Sequence, residues 1–257
     1  MKNPHPEEST SQIRIHKIIA KSGELSLRAA EKAMAEGRVT VNGQVVDKKG
    51  STADPSKDEI RLDGKRIELP EANIYLMLYK PTGFVTTKSD EEGRRTVMDL
   101  VPKEYSKLFP VGRLDIMTEG LLLLTNDGQF SQTMLAPKNR IERVYHVKTR
   151  NIPDKKTLAK MESGITVEGE RLKVASARLI SNTKTNARVE MTLMEGKKRH
   201  IRRLCQTMGH PAIKIKRISF GPFRLGTLKP GELIHVPVET VNKVKAMASS
   251  RSKRGRK

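Results

Sequence analysis

Hydrophobic residues near the N-terminus recur first at helical spacing and then at alternating spacing. A first helix is predicted from Gln12 to Gly23, because its apolar face carries Ile15, Ile18 and Ile19. A second helix begins at the capping residue Ser26 and runs to Gly37. Two short runs of valine then flank Asn42-Gly43, which is a strong local signal for a β-hairpin. The pattern predicts a small helix–helix–hairpin unit.

After a short Pro-containing stretch, Leu69 to Asn73, the sequence becomes richer in strand-forming residues. Strands are predicted at 74–79, 120–125, 143–147, 187–193 and 213–218, and helical periodicity is clearest at 155–161 and 199–208. Strand runs with fewer helices and no regular βαβ repeat predict a mixed α+β fold with a mainly antiparallel sheet. The predicted domains are therefore 12–68 and 74–242. Residues 243–257 contain seven basic residues and no acid, and we expect a disordered basic tail there.

The charge balance indicates a polyanionic partner. Fifty Lys and Arg against 29 Asp and Glu leave a net charge of +21, which favours nucleic acid first and an anionic membrane second. A hydrophobic content of 36% is enough for a packed core. A single cysteine, Cys205, excludes a disulfide framework and suits a reducing compartment. Since no signal-like or membrane-spanning apolar run occurs, we expect a cytoplasmic protein without a membrane partner.

Several common enzyme signatures are missing from the sequence. There is no phosphate-binding P-loop, no dinucleotide-binding glycine motif, no H-E-x-x-H and no G-x-S-x-G. The six histidines are scattered without metal-ligand spacing, so no metal site is predicted. With five Phe, four Tyr and no Trp, the chain lacks residues for a broad base-stacking platform.

The N-terminal unit carries a cationic side. Arg14, Lys17 and Lys21 fall within an arc of about 60° of the first helix, beside the isoleucine stripe. Such charges are often only a solvated helix face. However, the helix pair, the E-G-R-V-x-V-N-G-x-V-V run at 36–46 and Asp63-Gly-Lys together resemble the S-four-like RNA-binding domain over residues 12–67. That resemblance implies a grip on the RNA backbone and adds Arg28 and Arg38 to the candidate RNA-binding residues.

A lone acid and a basic segment mark the larger region. Asp115 ends the run Pro110-Val-Gly-Arg-Leu-Asp and precedes the apolar run 118–128; by itself it reads as a turn-forming residue. The second segment, 195–223, has eight basic residues and no acid between Lys197 and Arg217. Together with Arg143-Val-Tyr-His-Val147, these segments resemble the rRNA pseudouridine synthases that carry an N-terminal S-four-like domain.

The resemblance implies roles for three residues. Asp115 would be the nucleophile that lets uracil leave its ribose, turn over and reattach through a ring carbon. Arg202 matches the family's basic position; a nearby guanidinium favours the carboxylate anion, although phosphate binding is the simpler reading of this arginine. Tyr145 matches the aromatic that packs against uracil and assists removal of the ring proton, whereas a lone Tyr among β-formers is more often a core residue.

Further residues are candidates for contact with RNA. Arg94 and Arg95 lie in a loop after Lys80-Pro81-Thr82-Gly83 that is otherwise typical of a mobile surface loop. Ile215 and Arg217 fall near the family's pocket, where packing and phosphate contact are as plausible as contact with uracil. Three positions depart from the family pattern: Met117, His200 and Ile234. The remaining RNA-binding candidates are Arg113, Lys197, Lys198, Arg199 and Arg203.

The implied function is isomerisation of a specific uridine in rRNA, either free or in an assembling subunit. The D-E-E-G-R-R-T-V wording at 90–97 is most like large-subunit members. No cofactor is expected, because the bonds made and broken are similar and no redox change occurs. The target base must leave its stack.

A rival is a non-enzymatic RNA-binding or ribosome-assembly protein; an rRNA methyltransferase would need a Gly-rich cofactor loop that is missing. Nothing indicates an obligate dimer, so a monomer is expected.

Overall fold

The computed structural model describes residues 12–254 of the chain, with side chains up to residue 246. The chain divides into two compact units between Asn73 and Ile74. The first unit contains, in order, β1 Ile13–Arg14, α1 Ile15–Ser22, α2 Leu27–Ala35, β2 Val39–Val41, β3 Gln44–Val45, β4 Thr52–Ala53, β5 Ile60–Leu62 and β6 Lys65–Arg66.

The predicted helices and hairpin of the first unit are confirmed. Gly23 ends α1 with a left-handed φ of 84°, and the Ser26 side chain accepts the Ala29 N–H at the start of α2. Asn42 and Gly43 have φ values of 50° and 80°, as a two-residue hairpin turn requires between β2 and β3. The α1 isoleucines pack with residues of α2, β2 and β5 into one apolar cluster. One detail differs: Arg14 lies in β1, directly before α1.

The second unit is built on a larger sheet. Its strands are β7 Tyr75–Lys80, β8 Phe109–Pro110, β9 Thr118–Thr125, β10 Arg143–Arg150, β11 Ile165–Val167, β12 Glu170–Leu172, β13 Ser176–Asn182, β14 Asn186–Leu193, β15 Ala212–Phe220, β16 Phe223–Arg224 and β17 Leu233–His235. Its α-helices are α3 Gly128–Leu135, α4 Lys155–Ser163, α5 His200–Thr207 and α6 Val238–Arg254; 3-10 turns occupy Val97–Leu100, Lys103–Tyr105 and Pro137–Asn139.

The sheet order is β13-β14-β10-β15-β9-β7-β17, with β8 on β9 and β16 on β15. Only the β9–β15 pair is parallel among the described strand pairs of this sheet, so the predicted mixed, mainly antiparallel α+β fold is confirmed. Every residue of β9 is buried because both sheet faces are covered. Leu122 and Leu124 contribute to the cluster on one face, and Leu121 and Leu123 to the cluster on the other.

Gly120 allows β9 and β15 to approach closely. A Cβ atom at this position would lie 2.3 Å from the Arg217 carbonyl oxygen and 2.7 Å from the Arg217 nitrogen. Neither backbone atom can give way without moving β15, so a larger residue would push the two strands apart. The start of β9, which follows the Asp115 turn, is thereby fixed against the centre of the sheet.

The expected disordered tail from Lys243 is wrong for residues 243–254, which continue α6. Val241 and Val244 are buried in the cluster that also contains Phe130 of α3. Lys245 lies 3.3 Å from the Asp127 carboxylate and donates a hydrogen bond to the Tyr75 hydroxyl. The basic composition of this segment predicts disorder, but the two buried valines lie one turn apart and pack α6 against the second unit. Residues 255–257 of the expected tail lie outside the described residues.

Candidate active site

Asp115 occupies the first position of a tight turn that leads into β9. The Thr118 N–H donates to the Asp115 carbonyl at 2.8 Å, which closes the turn around Ile116 and Met117. Gly112, in the loop that leads to Asp115, has a φ of 75°, and a Cβ atom there would lie 2.8 Å from the Leu135 side chain. Leu114 anchors the loop in the core, whereas Asp115 is half-buried.

Lys80 holds this turn from the inside. The side chain is fully buried at the end of β7, and its ammonium lies 2.9–3.3 Å from the carbonyl oxygens of Pro81, Asp115, Ile116 and Thr118. Burial lowers the pKa of Lys80 to about 8, against the raising effect of the Asp115 and Glu119 carboxylates. A buried ammonium bonded to three carbonyls of one turn fixes the backbone of that turn.

The loop after β7 braces the same turn from a second side. The Gly83 N–H donates to the Ile116 carbonyl at 2.8 Å. The buried Thr86 hydroxyl donates to the Leu114 carbonyl at 2.8 Å and accepts the Leu114 N–H at 3.3 Å. The residue before Asp115 is therefore held through both of its backbone polar groups.

Arg202 extends from α5 to the far side of the turn. Its guanidinium donates to the Met117 carbonyl at 2.7 Å and to the Ala212 carbonyl at 3.4 Å. Its buried Nε has no hydrogen-bond partner among the described residues. Burial lowers the pKa of Arg202, and the charge of Asp115 acts in the opposite direction, which places the two groups within electrostatic range.

The Asp115 carboxylate accepts no hydrogen bond from the described residues. In the described part of the chain, no side chain or backbone N–H donates a hydrogen bond to it and no cation lies within 4.0 Å of it. A half-buried carboxylate with nearby positive charge and free lone pairs is available to an incoming electrophile.

Tyr145 lies on β10 and is 9% exposed. It belongs to the same apolar cluster as Leu114 and Ile201, which directly precede Asp115 and Arg202 in the chain. Leu114, Tyr145 and Ile201 come from three separate chain segments, and all three are buried in this one cluster. Ile215 of β15 is buried in the same cluster, so packing accounts for its position. The Tyr145 hydroxyl forms no hydrogen bond to another described residue.

Arg217 is not placed as expected for an RNA contact. It is 2% exposed, its Nε donates to the Leu121 carbonyl at 2.8 Å, and its guanidinium stacks on Phe220. Arg143 stacks on the same ring and donates to the carbonyls of Ile141, Met134 and Met194. These arginines are enclosed by the sheet and helices around it, so Arg217 is unsuited to a surface phosphate contact.

Other predicted RNA-binding residues are already paired with acids. Arg203 lies 2.6 Å from Glu170 and 3.2 Å from Glu168, and Lys197 lies 3.7 Å from Glu170. These contacts fasten the β11–β12 hairpin to the start of α5. Two further arginines are likewise engaged: Arg38 with Asp63 and Glu36, and Arg94 with Asp90 and Glu92.

The remaining predicted cations are exposed. Arg95 stacks over the Phe84 ring at 4.3 Å. The side chains of the others form no hydrogen bond or ion pair with described residues; they are Arg14, Lys17, Lys21 and Arg28 in the first unit and Arg113, Lys198 and Arg199 in the second. Arg199 also lowers the pKa of Arg202, so it lies near the candidate active site.

Lys80 and Thr86 hold the candidate site in place, although the sequence did not point to a role for either residue there. Lys80 directly continues an apolar strand and precedes a proline, and a charge at that point could have indicated a buried, bonded ammonium. Thr86 gives no comparable signal. Within residues 12–254, no cluster of three or more His, Cys, Asp or Glu side chains could hold a metal ion, and no helix has the length and apolarity needed to cross a membrane.

Comparisons with known proteins agree with this geometry. The sequence profile of RNA pseudouridylate synthase matches residues 74–207, and that of the S4 domain matches residues 13–60. The chain is 37% identical over 237 residues to ribosomal large subunit pseudouridine synthase B of Bacillus subtilis, covering 91% of this chain and 96% of that protein. It is 38% identical to an uncharacterised RNA pseudouridine synthase of Aquifex aeolicus, covering 86% and 89% of the two chains.

A solved structure shows the same architecture. A crystal structure of a pseudouridylate synthase superposes with a TM-score of 0.64 at 30% identity and covers 90% of this chain and 99% of that one. The profile match spans the Asp115 turn, Tyr145 and Arg202, so the site described above falls within the matched region. The chain belongs to the RNA pseudouridylate synthase family, and it is an RNA pseudouridine synthase with an N-terminal S4 domain.

Proposed function

We propose that this enzyme converts a specific uridine of large-subunit ribosomal RNA to pseudouridine, with Asp115 as its nucleophile. The choice of RNA is supported by the name of the Bacillus subtilis relative and by the wording of residues 90–97. The choice of nucleophile is supported by a single observation. Asp115 offers a half-buried carboxylate without protein donors on a turn whose backbone is held by Lys80, Thr86 and Arg202.

The proposed reaction breaks one bond to the ribose carbon and forms another, and each of the three candidate residues has a role in it. Attack by the carboxylate, or its stabilisation of the electron-deficient ribose, lets the bond between ribose and ring nitrogen break. The freed uracil turns and its ring carbon bonds to the same ribose carbon, which breaks any bond formed there by Asp115 and regenerates the carboxylate. The proton on that ring carbon is then lost, and the former glycosidic nitrogen takes up a proton. Tyr145, whose hydroxyl bonds no described residue, is the proposed contact for the uracil ring, and Arg202 supplies positive charge that acts on Asp115.

Exposed cations without acidic partners are the proposed contacts to RNA. Near the site these are Arg113, Lys198 and Arg199, with Arg95 on the loop after β7. In the first unit they are Arg14, Lys17, Lys21 and Arg28. Phosphate contacts of this kind position the substrate and do not read its sequence, so the target uridine must be recognised through other features.

Asp115→Asn tests the nucleophile. We expect release of tritium from ring-labelled uridine in rRNA to fall by at least about 10⁴-fold, since an amide cannot replace the attacking carboxylate. Glu142→Gln is the matched control, because it removes the charge of an exposed carboxylate outside the site and should leave the rate unchanged. Activity of Asp115→Asn equal to that of the unaltered enzyme would contradict the assignment.

The RNA target is tested separately by mapping. Pseudouridine positions in rRNA from a strain lacking this gene should differ from those of its parent at one large-subunit position or a few neighbouring ones. Reintroducing the wild-type gene should restore the modification, and reintroducing Asp115→Asn should not. A loss confined to small-subunit rRNA would refute the large-subunit proposal while leaving the activity intact.

A further inference from the structure

Part of one face of the large sheet is charged and open to solvent. Along β10 the side chains alternate between the two faces, so Tyr145 and Val147 are buried in one apolar cluster while His146 and Lys148 point the other way. On β15, Ile215 is buried in the same cluster, and its neighbours in the strand alternate in the same manner. The charged surface therefore lies on the sheet face opposite to the Tyr145 side chain.

A groove of about 180 Å³ crosses this charged surface. Four of its six lining residues are Lys or Arg and one is an acid, so the groove is strongly positive. Pockets for small molecules typically measure about 300–1,000 Å³ and are mostly apolar. This groove is too small and too polar for a ligand of that kind, but a single anionic group fits it. Its lining residues are Glu119 of β9, His146 and Lys148 of β10, Arg188 of β14, and Lys214 and Lys216 of β15.

The charges form two rows across the strands, and the first row is balanced. Glu190, His146, Lys216 and Glu119 are successive neighbours in register on β14, β10, β15 and β9. Glu190 lies 3.3 Å from His146, and Glu119 lies 3.9 Å from Lys216. Each basic side chain of this row therefore has a carboxylate beside it.

The second row places three cations next to one another. Lys148 is directly opposite Arg188 on one side and Lys214 on the other. Lys214 lies 3.0 Å from the Glu119 carboxylate, whereas the side chains of Lys148 and Arg188 form no hydrogen bond or ion pair with a described residue. Like charges directly opposite each other destabilise a pair of strands. The sheet thus maintains a repulsive arrangement that a bound anion would relieve.

The chemistry of the groove favours the phosphate backbone of double-stranded RNA. Protein interfaces are depleted in Lys and Glu and enriched in aromatic residues, whereas every residue that lines this groove is titratable. The Tyr79 ring lies beneath Lys216 and is 4% exposed, so it is not available for stacking on an unpaired base. Duplex RNA is recognised mainly through its shape and its phosphates, which requires cations and no deep pocket.

We propose that this groove binds the phosphate backbone of a duplex segment of the substrate RNA, with Lys148 and Arg188 as the principal contacts. Because Tyr145 and the groove lie on opposite faces of the sheet, this segment is distinct from the nucleotides at the candidate active site. The contact adds affinity and orientation without reading the sequence. The inference rests on the proposed function for the identity of the RNA as rRNA.

The test measures binding of the full chain to a labelled RNA duplex of about 16 base pairs, the length that double-stranded RNA-binding domains span. The variant Lys148→Gln/Arg188→Gln removes both unpaired cations, and Lys148→Arg/Arg188→Lys keeps both charges. The control, Lys155→Gln/Lys156→Gln, removes two exposed lysines from α4, which packs through Leu158 on the other face of the sheet. A labelled polyglutamate peptide is the second probe, and urea denaturation without RNA is measured for each variant.

We expect Lys148→Gln/Arg188→Gln to weaken duplex binding about tenfold and to reduce the slope of log affinity against log salt concentration by about 1.4 to 1.8, as two phosphate contacts predict. The charge-retaining variant should stay within about twofold of wild type, and the α4 control should leave the slope unchanged. Without RNA, the Gln variant should unfold at the same urea concentration as wild type or a higher one, because it removes a repulsion.

Three results would overturn the proposal. Equal slope changes for the two Gln pairs would mean that only the net charge matters. A loss confined to polyglutamate would assign the groove to an acidic protein, and a lower urea midpoint for the Lys148 and Arg188 variant would show that this row stabilises the free enzyme. The readout is binding, so a failure of the wild-type enzyme to form pseudouridine in rRNA would refute the proposed function separately.

Discussion

Arg202 illustrates at the scale of a single residue why charge alone does not describe this site. Its guanidinium bonds two carbonyls on different segments, Met117 and Ala212, and its charge acts on Asp115. A lysine could supply the charge but not both bonds in the same plane. Arg202→Lys should therefore lower kcat about 100-fold with little change in KM, since the turn would shift relative to the substrate. Steady-state kinetics on labelled rRNA measure this, and a rise in KM alone would indicate simple phosphate binding.

Lys80 gives a pH-dependent prediction at the same scale. Its folded-state pKa of about 8 lies below the usual 10.5, so between these values the unfolded chain holds a proton that the folded chain has released. The free energy of unfolding should rise with pH across this window by about 3 kcal/mol from this group. Lys80→Met lacks the group, so the difference in unfolding free energy between wild type and variant should grow from pH 8 to 10.5. Urea titrations at several pH values measure it; a constant difference would show that Lys80 keeps its ordinary pKa.

At the scale of secondary structure, the sequence predicted the elements that have a clear local pattern of apolar or turn residues, and it did not predict where a charged side chain is buried. The α1 isoleucines, the Asn42-Gly43 turn and the leucines of β9 follow local rules, and all are in the predicted elements. Burial of Lys80 and Arg217 depends on carbonyl oxygens from residues 115–118 and 121, supplied by distant segments of the chain. Local patterns contain no information about such partners, so the sequence alone could not place Lys80 and Arg217 in the interior.

Helix α6 includes a segment for which composition predicted disorder, and substitutions in it can test whether the helix is packed. Val244 is fully buried on the second unit, whereas Val238 of the same helix is 67% exposed. Val244→Ala should lower the free energy of unfolding by about 2 kcal/mol through lost burial and a small cavity, and Val238→Ala should change it by less than about 0.5 kcal/mol. Urea denaturation of both variants measures the difference. Equal, negligible effects would mean that the segment from Lys243 behaves as the disordered tail expected from its charge.

At the scale of the whole molecule, the basic residues that produce the net charge of +21 differ in what they contact. Lys80, Arg143 and Arg217 are buried and bond carbonyls, and Arg38 and Arg203 are paired with acids. Only the exposed, unpaired cations can exchange their counterions for phosphate without first breaking a contact in the protein. The strength of RNA binding should therefore depend on the exposed, unpaired basic residues, and the formal net charge overstates it.

Salt dependence separates these classes in the first unit. Lys17 and Lys21 are exposed on α1 and have no acidic partner among the described residues, whereas Arg61 is exposed and lies 2.9 Å from Glu59. If Lys17 and Lys21 each contact a phosphate, Lys17→Gln and Lys21→Gln should each reduce the slope of log affinity for rRNA against log salt concentration by about 0.7 to 0.9. Arg61→Gln removes the same formal charge from the same unit and should leave the slope unchanged. Fluorescence anisotropy with unmodified rRNA fragments at several salt concentrations measures all three. Equal slope changes would mean that only the net charge matters and that the cationic side of α1 is a solvated surface.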